Sequence, residues 1–145
     1  MTFRCRLSLI VFSGDFDRVH YALAMASAAA ATDRPVTLFF SGRALHLFLA
    51  HANDGTPGWA ALNSNEIGKS PIERNEELKN DGIGTIEELA LACVNLNVPF
   101  YRCEMGVKAT KLDPAMFRTD IPTHSGGLVG FLSEAEKEGS QIIFI

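Results

Sequence analysis

Leu7-Ser8-Leu9-Ile10-Val11-Phe12 and Val36-Thr37-Leu38-Phe39-Phe40 decide the fold of this chain. Each is an apolar run that stops at a Ser-Gly pair, Ser13-Gly14 after the first and Ser41-Gly42 after the second. Between them Phe16, Val19, Leu23, Ala26 and Ala30 recur three or four residues apart, the spacing of one helical face. Strands that are apolar throughout belong in a parallel sheet covered on both sides. Strand, helix, strand therefore predicts an α/β architecture. Asp15 or Asp17 can cap the intervening helix, where a carboxylate also meets the positive end of the helix dipole.

Working outward, residues 43–50 predict a short helix. Residues 51–82 lose all periodicity and carry Gly55, Pro57, Gly58, Gly68, Pro71 and Gly82, which predicts an irregular insertion. A loop of that length is usually a lid, a binding loop or a subunit contact, and Trp59 and Leu62 argue that it docks on something. Order returns at the capping box Thr85-Ile86-Glu87-Glu88, followed by Ile86, Leu89, Ala90 and Cys93 on one helical face. Asn97 and Pro99 introduce a third strand, Phe100-Tyr101-Arg102, that finishes at Cys103. Asp113-Pro114 predicts a short helix through Phe117. A brief extra strand is suggested near Thr119 and Ile121. Ser125-Gly126-Gly127 leads into a last helix with Leu128, Leu132 and Ala135 on its apolar side, and Ile142-Ile143-Phe144-Ile145 reads as a buried closing strand. The sum is one α/β domain over residues 1–145 with a mostly parallel sheet of four or five strands.

Composition narrows the function classes. The chain has 145 residues, 47% hydrophobic and 21% charged, which suits a globular domain and excludes general disorder. Thirteen Lys and Arg stand against 17 Asp and Glu, a net charge of −4 without a basic cluster, so nucleic acid is not an expected partner. No apolar run has the 18 or so residues needed to span a bilayer, and the run ending at Phe12 is too short for a signal peptide. The 3 cysteines form no regular framework, so a reducing cytoplasm is the expected setting.

In an open parallel sheet, ligands sit beyond the carboxyl ends of the strands. Ser13-Gly14-Asp15, Ser41-Gly42 and Cys103 should gather there, with glycine turns leaving backbone N–H groups free for an anion. Taken singly, each glycine also has a plainer role in making the turn. Among the cysteines, Cys5 starts strand one at the opposite end, and Cys93 lies on an apolar helix face, where a thiol is inert. Cys103 differs. It ends a strand, and Gly106-Val107-Lys108 bring positive potential close to its sulfur, the setting in which cysteines act as nucleophiles, although Glu104 opposes it. His20, His46, His51 and His124 lack metal-ligand spacing, so no metal is expected. Asp15 and Asp17 are explained by capping. No Gly-x-Gly-x-x-Gly follows strand one, which argues against a dinucleotide or flavin cofactor.

Three stretches resemble the DsrE/DsrF-like family of small sulfur-relay proteins. They are residues 9–17 with the alanine-rich helix and Val36 to Phe40; Val98-Pro99-Phe100-Tyr101-Arg102-Cys103-Glu104-Met105-Gly106; and Gly126-Gly127 with the closing strand. The resemblance implies a three-layer flavodoxin-like fold, homo-oligomers (trimers or hexamers), and a persulfide on Cys103, with Met105 two places on. Sulfur donor or acceptor proteins are the implied partners, and no cofactor is implied. A second cysteine near Cys103 is missing, which departs from a dithiol reductase. The first expectation is therefore a sulfur carrier or sulfurtransferase-like protein, and the alternative a non-catalytic oligomeric scaffold or small-ligand binding module of the same fold.

Overall fold

A computed structural model describes residues 4–64 and 67–145. Its elements run β1 (Leu7–Val11), α1 (Phe16–Ala31), β2 (Val36–Phe40), α2 (Pro71–Asn80), α3 (Ile86–Asn95), β3 (Phe100–Cys103), α4 (Glu104–Ala109), β4 (Thr123–Gly126), α5 (Leu128–Lys137) and β5 (Gln141–Phe144). Short 3-10 turns occupy Gly42–Phe48, Gly58–Ala61 and Pro114–Met116. The sheet order is β4-β3-β2-β1-β5, and every pairing is parallel. This is the α/β architecture the two opening strands predict.

Connectivity sorts the helices. The chain steps from β1 through β2 and β3 to β4 in one direction, then crosses back to the far edge for β5. Right-handed crossovers then put α1 and α3 on one face and α5 on the other. Packing agrees: α1 lies against α3, and Phe131 of α5 stacks on Phe39 of β2 at 4.5 Å.

Strand alternation divides the side chains between those faces. Leu7, Leu9 and Val11 join Val36, Leu38 and Phe40 beneath α1 and α3, in one core cluster with Phe16, Leu23, Ile86 and Phe100. A fully buried Leu or Phe contributes roughly 1.5–3 kcal/mol through removal from water. Helix α1 starts where Asp15 accepts from the Arg18 N–H at 3.1 Å, and α3 starts in the predicted capping box of Thr85 and Glu88.

Several boundaries differ from the expectation. The 51–82 segment is not irregular throughout. Ser70 and Glu73 form a second capping box, Pro71 takes the first turn, and α2 follows. Glycine and proline counts hid that start signal, although S-x-x-E is legible once sought. The segment also docks. Trp59 is buried, lies 5.8 Å from the Phe16 ring and donates Nε1–H to Glu87 at 2.8 Å. The helix expected at 43–50 is the tighter 3-10 turn Gly42–Phe48, and the Asp113-Pro114 helix is a 3-10 turn ending at Met116. The extra strand falls at Thr123–Gly126, four residues later than suggested, while Ile121 is core. The closing strand is a sheet edge, with Ile142 and Phe144 exposed. Its apolar residues are thus no measure of burial within the protomer.

Candidate functional site at the carboxyl edge of the sheet

The predicted crevice residues fall into two groups. Around β3, Gly106 approaches Ser41 so closely that a Cβ on the glycine would lie 2.3 Å from the serine Oγ. The Gly106 N–H donates to the Cys103 sulfur at 3.4 Å, which makes Cys103 the cap of α4. Gly126 is the register partner of Cys103, and the Ser125 hydroxyl donates to Glu104 at 3.3 Å. Ser41, Cys103, Glu104, Gly106 and Gly126 therefore form one cluster. Gly42 holds φ +57° beside the Phe12 carbonyl, where a Cβ would lie 2.9 Å away, so only glycine fits there without strain. Met105 projects outward at 65% exposure. Gly127 caps α5, and a Cβ there would meet nothing within 4 Å.

Ser13, Gly14 and Asp15 sit at the end of β1, two strand spacings (about 10 Å) from β3. Several of their polar groups are already engaged. The Ser13 N–H donates to the Ile145 carbonyl at 3.2 Å, the Ser13 hydroxyl receives the Asp15 N–H, and the Gly14 carbonyl receives the Asn63 N–H at 2.7 Å. A Cβ at Gly14 would meet Arg43 at 2.5 Å. This group ties the end of β1 to Ile145 and Asn63 and, among the described residues, shares no hydrogen bond with Cys103.

Cys103 is only 1% exposed in the protomer. The other two thiols behave as expected from sequence. Cys5 is exposed beside Arg34, at the amino end of the sheet. Burial pushes the Cys93 thiol up to about 12, and its S–H donates to the Leu23 carbonyl at 3.5 Å, which makes it a packing residue. Among the described residues no group of three or more His, Cys, Asp or Glu could hold a metal. His20 bonds the Gly84 carbonyl and His46 the Arg43 carbonyl, each at 2.8 Å.

Two polar arrangements escaped the sequence reading. One is a clamp: Arg118 bonds both carboxylate oxygens of Glu87 at 2.8 and 2.7 Å, and both of Asp120 at 2.7 Å. Burial pushes the Glu87 carboxyl up, but the Arg118 hydrogen bonds and charge, with the Trp59 indole, outweigh it and hold the group below its usual range. Arg118 likewise holds Asp120 low, chiefly by hydrogen bonding. The other is a groove of about 410 Å³ between α5 and the sheet, reached by Ser8, Thr37 and Phe39. Two hydroxyls inside otherwise apolar strands were its only trace in the sequence.

Solved structures resemble this arrangement over nearly the whole chain. Protein BT1422 of unknown function from Bacteroides thetaiotaomicron matches with a TM-score of 0.56 at 13% identity, covering 97% of this chain and 94% of that one. MTH1491 of unknown function from Methanobacterium thermoautotrophicum matches with a TM-score of 0.52 at 15% identity, covering 97% and 99%. The ychN protein from E. coli matches with a TM-score of 0.52 at 14% identity, again covering 97% and 99%. The likeness is one of fold. No family model and no curated protein matches the sequence. Among the described residues no helix is long and apolar enough to cross a membrane.

Proposed function

We propose that the protein carries sulfur as a persulfide on Cys103, as the DsrE/DsrF-like proteins that its sequence resembles would imply. The observation that carries this reading is the setting of the sulfur: it ends a central strand, receives the Gly106 N–H, and has Ser41 and Gly126 as neighbours of its cluster. In the loading step the Cys103 thiolate attacks the outer sulfur of a donor persulfide, an S–S bond forms, and the donor thiolate leaves. In the unloading step an acceptor thiolate attacks that same outer sulfur and Cys103 departs as thiolate. Atoms and electrons balance without a cofactor. The terminal sulfur is anionic near neutral pH, and a backbone N–H such as that of Gly106 stabilises such a charge.

Because Cys103 is buried in the protomer, loading requires the 104–106 turn to move aside. Met105 offers a donor or acceptor protein an apolar contact at that turn. Assembly into a homo-oligomer, a trimer or hexamer, in a reducing cytoplasm belongs to the same reading. It is supported by apolar side chains left uncovered on the β5 edge: Phe12 and Phe144 stack at 5.8 Å, both more than half exposed.

The burial of Cys103 favours a second reading, a non-catalytic scaffold or binding module that keeps the fold without using the thiol. Intact-mass analysis after exposure to polysulfide separates the two. Carriage predicts one added sulfur that is absent in Cys103→Ala. No adduct on any cysteine, or one that survives Cys103→Ala, removes the carrier reading and leaves the scaffold.

A further inference from the structure

The groove under α5 combines features that a merely loose helix contact would lack. Its volume of about 410 Å³ falls in the range of small-molecule sites. Its apolar wall is aromatic, with Tyr101 beside the stacked pair Phe39 and Phe131. Gly130 on α5 also lines it, and a Cβ there would meet nothing within 4 Å, so the helix leaves the space open.

The floor is polar. Ser8 is 1% exposed, yet its hydroxyl makes no hydrogen bond among the described residues and reaches the groove. Facing the groove, this hydroxyl keeps a donor and an acceptor available to whatever occupies the space. Thr37 is the register partner of Ser8, and its Oγ1 accepts from Arg6 at 3.1 Å, which leaves its own O–H free to donate. Two hydroxyl donors thus stand side by side below an aromatic wall. Charge selects further. Arg6, the cation of the lining, is committed to Glu138 at 2.5 Å, and Glu134 adds a second carboxylate, itself 3.4 Å from Lys137, so the groove offers an anion no uncommitted cation.

We propose that this groove binds a small uncharged aromatic amide or nitrogen heterocycle. The ring lies against Phe39, Phe131 and Tyr101, and the carbonyl or ring nitrogen accepts from Ser8 and Thr37. The groove borders the Cys103 cluster at Gly126 but does not include the sulfur, and it would give the non-catalytic reading its ligand; it stands or falls without the sulfur chemistry.

Saturation-transfer-difference NMR on the full chain tests it with benzamide as the probe and benzoate as the charged control. Benzamide should bind with a millimolar dissociation constant, as suits so few atoms. Benzoate should bind at least about tenfold more weakly, because its carboxylate gives up its hydration and finds no uncommitted cation in the groove. Ser8→Ala should weaken benzamide about fivefold, the worth of one neutral hydrogen bond. Gly130→Leu should fill the groove and abolish the signal while the circular dichroism stays native. Absence of a benzamide signal at about 10 mM, far weaker than this site should hold it, overturns the proposal, as does equal binding of benzoate. So does a benzamide signal that neither variant reduces. A polysulfide adduct on Cys103 is read separately, so either idea can fail alone.

Discussion

The two faces of the sheet are built differently. Under α1 and α3, alternate strand residues are Leu, Val and Phe, nearly all fully buried, and the long 51–82 segment adds Trp59 and Leu62 to that core. Under α5, the same strands present Ser8, Thr37, Phe39 and Tyr101, the last partly exposed, and the single covering helix carries a glycine toward them. Stability should therefore reside on the first face, while the second keeps room for something else. The largest expected effect tests this division. Phe40 is wholly buried and meets the Phe48 ring at 4.8 Å, so Phe40→Ala should cost about 4 kcal/mol in urea denaturation. Phe131→Ala, on the α5 side, should cost about half as much, since that ring already borders open space. Equal losses would show that the faces are energetically alike.

The next effect concerns what ties the 51–82 and 113–121 segments to the first face. Arg118, its side chain 7% exposed, is the common partner of Glu87 and Asp120. Removing it leaves the partly exposed Glu87 and the half-exposed Asp120 without their cation, so Arg118→Ala should lose about 2 kcal/mol. Acid offers a milder route to the same break. Both carboxyls titrate below their usual range in the folded chain, so the stability they add is fully present above the unfolded values of about 4.3 and 3.9. That contribution fades as pH falls through the lower folded values. The urea midpoint should therefore drop less between about pH 6 and pH 3 in a Glu87→Gln, Asp120→Asn double variant than in the parent. An unchanged acid slope would mean that the clamp is not what acid releases.

Sequence reasoning reached the first face and only part of the second: it placed the last helix, but of its expected apolar side Ala135 is buried while Leu128 and Leu132 are exposed, and Phe131 is the ring that meets the sheet. Periodicity reports which residues are apolar, so Leu9, Leu38 and Phe16 announced the sheet and the α1 layer. Capping chemistry announced α3 through Thr85 and Glu88, and could have announced α2 through Ser70 and Glu73. It could not separate a buried strand from an edge: Ile142 and Phe144 read as core yet face outward. Nor could it show which strand ends touch. Cys103, Ser41 and Gly106 meet, whereas Ser13 and Gly14 lie farther along the same edge, because β2 lies between β1 and β3. The Arg118 clamp joins residues 31 apart, and spacing of that kind leaves no pattern. Ser8 and Thr37 were visible as letters, but only register made them neighbours.

The smallest expected effect is the sharpest probe of the two faces, because one kind of change should have opposite signs. Gly130 lies inside α5 with nothing near its missing Cβ, so Gly130→Ala should gain about 0.5–1 kcal/mol from helix propensity alone. Ala22 of α1 is wholly buried against the filled face, so enlarging it to Leu should cost about 1–3 kcal/mol through overpacking. Thermal denaturation of the two variants checks the pair. A loss at Gly130 would mean that the helix depends on that glycine for its approach to the sheet, and the groove would then be a by-product of packing. A gain means that the chain forgoes available stability there, which is the pattern expected where a cavity is kept for use.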